Sequence, residues 1–69
     1  MNRTPVRSSN IASVGYENGT LEIEFVDGGV YQYFNVPEPV YQGLMSATSK
    51  GRYFHDHIKD SYQTSKVGW

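Results

Sequence analysis

Positions Met1 to Ser9 are polar apart from Met1 and Val6, contain Pro5 and two adjacent serines, and hold no sustained apolar period. The stretch 1–9 therefore reads as a loose arm ahead of a single domain over residues 10–69. From Asn10 the chain alternates as a strand does. Asn18 and Gly19 both tolerate the positive φ that a type I′ turn requires, so they set a two-residue hairpin. That turn pairs Glu17 with Thr20, Tyr16 with Leu21, Val14 with Ile23 and Ala12 with Phe25; six apolar side chains then share one face, while Ser13, Glu17, Glu22 and Glu24 share the other. A second turn at Asp27-Gly28-Gly29 admits two or three loop residues. With two, Gln32 falls inside the core. With three, and Gly29 in the left-handed region, Phe25 opposes Tyr31, Ile23 opposes Tyr33 and Glu24 opposes Gln32, leaving Val26, Val30 and Phe34 as the apolar residues of the outer face. The three-residue loop is the expected one.

Pro37 and Pro39 end the extended chain and suit the first turn of a helix, which the spacing of Val40, Tyr41, Leu44 and Met45 carries to about Ala47. Thr48 to Gly51 break the period. A second helix follows, with Ser49 as N-cap and Tyr53, Phe54 and Ile58 on its buried side. The tail from Ser61 is mostly polar, with Tyr62, Val67 and Trp69 expected to tuck back onto the body. The expected architecture is α+β, a three-stranded antiparallel meander followed by two short helices packed on one face (βββαα).

Length and composition sharpen this picture. A 69-residue chain buries only about 60% of the surface its unfolded form exposes. Without cysteines it has neither disulfides nor thiolate zinc sites to add to that, so six tyrosines, three phenylalanines and one tryptophan must supply much of the core. No apolar run has signal-peptide or bilayer length, which points to a cytoplasmic protein with no membrane partner. In that setting Asn18-Gly19-Thr20 is a turn and not a glycan acceptor. The net charge of −1 excludes a strongly basic nucleic-acid binder. Its distribution is uneven: residues 1–16 carry two bases and no acid, 17–49 five acids and no base, and 50–69 four bases against two acids.

Little of the chemistry suggests catalysis or metal. His55 and His57 stand two residues apart, which on a helix points them about 200° from each other, and no third ligand has usable spacing. Glu22 and Glu24 share an exposed strand face, where solvated charges that discourage edge pairing are expected. No serine or threonine sits in a nucleophile elbow. No enzyme and no cofactor is expected. Ser49-Lys50-Gly51-Arg52 has two readings: a cap and a tight interhelical turn, or a phosphate seat at a helix start, where free N–H groups and the positive dipole end favour an anion. Tyr31-Gln32-Tyr33 likewise places two rings on one strand face, either a base-stacking platform or, with the register above, part of the core.

Ser8-Ser9-Asn10-Ile11, Gly15-Tyr16, Leu21-Glu22-Ile23-Glu24-Phe25, Tyr31-Gln32-Tyr33, Val36-Pro37 and Ser49-Lys50-Gly51-Arg52-Tyr53-Phe54, followed by Ile58 and Tyr62, form an ordered series that resembles the KTSC domain family. The resemblance runs from Ser8 to about Lys66. The family takes its name from the C-terminus of some lysyl-tRNA synthetases and also occurs as small stand-alone bacterial or phage proteins, a context that implies RNA binding by analogy.

Together these readings lead to a small non-catalytic binding module. Its candidate nucleic-acid contacts are Ser49, Lys50, Gly51, Arg52, Lys59 and Lys66, helped by Tyr31, Tyr33 and Tyr53, and its partner is RNA or another phosphate-bearing molecule. The alternative is a protein-interaction module that docks through an open sheet edge or the outer patch of Val26, Val30 and Phe34. Neither the partner's identity nor the oligomeric state follows from the sequence.

Overall fold

Asn18 and Gly19 adopt φ of 52° and 82°, the type I′ geometry, and the hairpin they close joins β2 (Ile11–Glu17) to β3 (Thr20–Phe25) in a computed structural model that describes residues 1–69. The complete element order is β1 (Thr4–Pro5), β2, β3, β4 (Val30–Tyr33), α1 (Glu38–Ser46), α2 (Lys50–His57) and β5 (Thr64–Gly68). The strands form one antiparallel sheet in the order β1-β2-β3-β4-β5. The α+β class and the two helices are as expected, but the three-stranded meander is the centre of a five-stranded sheet. Within residues 1–9, Thr4 and Pro5 pair with Val14 and Ser13. The polar tail returns as β5, pairing Tyr33 with Thr64 and Tyr31 with Lys66.

Two registers differ from those expected. In the first hairpin Glu17, Tyr16 and Val14 meet Thr20, Leu21 and Ile23, but a bulge at Ala12 brings Ile11 and not Ala12 opposite Phe25. The bulge turns the larger side chain inward, where Ile11 is fully buried, and leaves the Ala12 carbonyl to accept the Val6 N–H at 3.1 Å. In the second hairpin the three loop residues are Val26, Asp27 and Gly28. Phe25 and Gly29 close the loop through an N–H···O bond of 2.8 Å, and the positive φ falls on Gly28, at 100°, and not on Gly29. An Asp27 carboxylate oxygen accepts the Gly29 N–H at 2.9 Å and fixes this choice. The ladder therefore pairs Leu21 with Tyr33, Glu22 with Gln32 and Ile23 with Tyr31. A displacement of two residues changes every partner and no face, so Tyr31 and Tyr33 still point toward the helices.

The core lies between that face and the helix pair. Ile11, Val14, Leu21, Ile23, Leu44 and Ile58 are fully buried, with Tyr33, Val36 and Phe54 nearly so. Pro37 caps α1 with no side-chain hydrogen bond, and α2 starts at Ser49, whose hydroxyl accepts the Arg52 N–H at 3.3 Å. The helices approach closely because Gly43 has no side chain: a Cβ there would lie 2.1 Å from the Tyr53 hydroxyl oxygen. Tyr16 stacks on Tyr41 with ring centroids 4.7 Å apart and donates its hydroxyl to the Val36 carbonyl at 2.6 Å, tying α1 to the first hairpin.

The opposite face of the sheet is not the solvated surface expected for Glu22 and Glu24. Glu22 is only 7% exposed. Its carboxylate accepts from Arg3 Nη1 at 2.5 Å and from Gln32 Nε2 at 2.8 Å, while Arg3 Nε donates to Ser13 Oγ and Ser13 Oγ donates to Glu24. The N-terminal segment lies across Gly15, where a Cβ would come within 2.6 Å of the Asn2 carbonyl oxygen. Val30 is covered as well, at 8% exposure beside Gly68 of β5, which breaks the apolar patch of Val26, Val30 and Phe34. The open edges of the meander are likewise occupied by β1 and β5.

Burial pushes the Glu22 carboxyl up, but hydrogen bonds from Gln32 and Arg3, with the Arg3 charge and the N-terminal ammonium, hold it below the usual 4.5. A depressed folded-state pKa stabilises the fold above the unfolded-chain value, and that stabilisation is lost as pH falls through the folded value. In urea unfolding between pH 7 and pH 3, wild type is expected to lose its advantage over Glu22→Gln within this acid window; parallel pH profiles would show that the carboxyl does not sense folding.

Candidate nucleic-acid interface

Phe54 projects from α2 onto the sheet and meets Phe25 at 5.3 Å and Tyr33 at 5.5 Å, both edge-on, while Tyr31 meets Phe25 edge-on at 5.6 Å. A shallow groove follows these rings. One lobe, of about 340 Å³, runs from Ser9 and Asn10 past Gly51 to Lys59; the other, of about 400 Å³, runs from Lys59 past Tyr31 to Thr64. Phe25, Asp27, Phe54 and Lys59 line both.

The candidate contacts divide into two groups around this groove. Lys59, Tyr31 and Tyr33 line the second lobe, and Lys66, opposite Tyr31 across the β4–β5 ladder, holds its ammonium 5.8 Å from the Tyr31 ring centroid. Tyr33 contributes little ring surface, being 4% exposed, whereas Tyr31 is half-buried. Burial raises the Tyr33 hydroxyl above its usual pKa of 10.0; the Thr64 hydroxyl opposes that shift, and Tyr31 and Asp60 add to it.

The second group sits at the start of α2. Ser49 is the cap. Lys50 donates to the Ala47 carbonyl at the end of α1, at 3.1 Å. Gly51 lies against Asn10 and lines the first lobe. Arg52 reaches solvent with its side chain 80% exposed and pairs at 3.3 Å with Asp56, one turn on. Tyr53 packs over Gly43 and beside His57, at 4.5 Å between ring centroids, which turns it away from the groove. His55 pairs with Asp56 at 3.4 Å and not with His57. The Asp56 carboxyl is held below its usual value by hydrogen bonds from His55 and Arg52.

Sequence reasoning did not place Trp69 among the candidate contacts. The ring, expected against the body, is 85% exposed, and the Lys66 ammonium lies over it. Its backbone passes 3.6 Å from the Cβ position of Gly28, which sets it beside the β3–β4 loop. The signal available was a large ring in an otherwise polar tail.

Residues 7–62 match the KTSC domain. The chain belongs to the KTSC domain family. A KTSC domain protein from Yersinia pestis, solved as a crystal structure, superposes with a TM-score of 0.94 at 49% identity and 97% coverage of both chains. An uncharacterized protein of Stutzerimonas stutzeri is 41% identical, with 90% of each chain aligned. A lysine–tRNA ligase of Trichormus variabilis is 50% identical over 70% of this chain, and one of Nostoc punctiforme is 44% identical over 86%. The KTSC chain spans only 9% and 11% of the length of those two ligases. No helix of the structure is long and apolar enough to cross a membrane.

The two tyrosines of the Tyr-x-Tyr run differ in burial, and alanine substitution separates them. Tyr33→Ala is expected to cost about 3–5 kcal/mol, the range for a fully buried large ring, and Tyr31→Ala clearly less, because one edge of that ring is already wet. Thermal unfolding of the two variants checks this. A Tyr33→Ala protein that melts with wild type would remove Tyr33 from the core.

Proposed function

We propose that this KTSC domain is a non-catalytic module that binds single-stranded RNA across Trp69, Tyr31, Lys66 and Lys59. The observation that carries the reading is Trp69: a ring 85% exposed, with a lysine ammonium over one face. Single-strand binders combine such rings, on which any base can stack, with cations that track the phosphates. Lys59 lines the lobe together with Tyr31, whose ring Lys66 approaches from the neighbouring strand, and no salt bridge engages either lysine. Ser49, Lys50, Gly51 and Arg52, at the other end of the groove, are a secondary phosphate contact, led by the exposed Arg52. The relatedness to segments of lysine–tRNA ligases, enzymes named for an RNA substrate, supports the same reading.

A protein-docking module is the second reading. The free outer edge of β5, with Val67 50% exposed, favours it over the original apolar patch, because Val30 is covered.

Trp69 is the chain's one tryptophan, so its fluorescence reports on the proposed contact directly. Oligouridine is expected to quench that emission, with an affinity that falls steeply as salt rises. By anisotropy of labelled RNA, Trp69→Ala is expected to lose about 1–3 kcal/mol of binding, and Lys66→Met to lower the salt slope by about one. No quenching and no amide shifts with any oligonucleotide would overturn the proposal, and salt-insensitive capture of a protein partner would favour the second reading.

A further inference from the structure

The second lobe holds charges that do not cancel one another. Lys59, Asp27 and Asp60 all line it, yet none of the three belongs to an ion pair; the salt bridges of the chain are Arg3–Glu22, Arg52–Asp56 and His55–Asp56. Asp27 gives Oδ1 to the Gly29 N–H and so serves the turn. The exposed Asp60 enters no side-chain hydrogen bond or salt bridge and lines the lobe together with Phe25, Phe54 and Tyr31. Carboxylates beside an RNA path repel phosphate, a cost that a plain phosphate track has no reason to carry. They are useful where a base edge arrives with hydrogen-bond donors.

We infer that the lobe lined by Tyr31, Phe54, Lys59 and Asp60 receives one unstacked base of the bound strand and selects guanine through the Asp60 carboxylate. The inference rests on the RNA reading above and adds to it the identity of the base. A volume of about 400 Å³ falls in the range of small-ligand sites. Single-stranded RNA is read by splaying a base against aromatic rings and hydrogen-bonding its Watson–Crick edge. Guanine presents two neighbouring donors there, N1–H and the N2 amino group, which match the two oxygens of a carboxylate. Adenine and cytosine set an acceptor beside their amino donor, and uracil sets acceptors on both sides of its single donor, so each of these turns a lone pair toward the carboxylate. Lys59, on the same lobe, takes the phosphate of that nucleotide.

The test uses the full chain and labelled tetraribonucleotides that differ at one position, U-U-G-U, U-U-A-U and the inosine analogue, followed by anisotropy. The guanine form is expected to bind about tenfold tighter than the adenine form, a factor within the range that one bidentate base contact supplies. Inosine, which keeps N1–H and lacks the amino group, is expected to fall between them. Asp60→Asn is expected to abolish the preference, weakening the guanine form and strengthening the adenine form as the repulsive charge is removed, while the melting temperature stays unchanged because the exposed Asp60 holds nothing in place. Equal affinities for all three, or a guanine preference that survives Asp60→Asn, overturns the selectivity and leaves the RNA reading standing if Trp69→Ala still weakens binding. Absence of binding by every tetramer overturns both.

Discussion

Phe54 is the point at which an eight-residue helix is held to a sheet. Its ring meets Phe25 from β3 and Tyr33 from β4 at nearly equal distances, each edge to face, the geometry that the quadrupoles of aromatic rings favour. A helix this short has no stability of its own. Its position depends on that insertion, on Ile58 just beyond its end and on Tyr53 seated over Gly43. The groove follows from the same contact. Its floor consists of the edges that Phe25 and Phe54 leave uncovered, and its Lys59 wall is set by where α2 ends.

The other face of the sheet is organised by charge. Glu22 accepts from both Arg3 and Gln32, and Ser13 links Arg3 to Glu24, so one hydrogen-bonded chain crosses the sheet from the N-terminal segment to β4. Burying a carboxylate is costly unless its oxygens are satisfied, and here they are. The arrangement also manages an edge: β1 is two residues long and offers a poor template for further strands, while Arg3 holds it over the longer and more apolar β2.

What the sequence made legible was local. Asn18-Gly19 dictated its turn, Ser49 its cap, and the spacing of Val40, Tyr41 and Leu44 its helix. The inward direction of Tyr31 and Tyr33 was legible too, because strand faces alternate. Their partners were not: matching apolar to apolar cannot separate two registers that differ by two residues, and the Asp27 contact to Gly29 decided between them. The edge strands escaped for a different reason. Thr64-Ser65-Lys66-Val67-Gly68 has one apolar side chain and Thr4-Pro5 none of the alternation that marks a half-buried strand, since an edge is held mostly by backbone hydrogen bonds. The burial of Glu22 was hidden because Arg3, its partner, is remote in sequence. At the candidate interface, Lys59, Lys66 and Tyr31 were legible as charges and rings, but the grouping of Lys66 and Tyr31 with Trp69 depended on a strand that the pattern did not disclose.

The order of strands in the sheet follows the order in the chain, with the helix pair inserted between β4 and β5. The contacts among β2, β3 and β4 are therefore hairpin contacts, cheap in loop entropy and fast to form. Pairing Tyr31 with Lys66 is different, because both helices intervene and the intervening chain must be ordered before that closure is repaid. The grouping of Tyr31, Lys66 and Trp69 proposed as an RNA platform consequently belongs to the late part of assembly: the hairpins complete the hydrophobic centre first, and the grouping forms only when β5 docks.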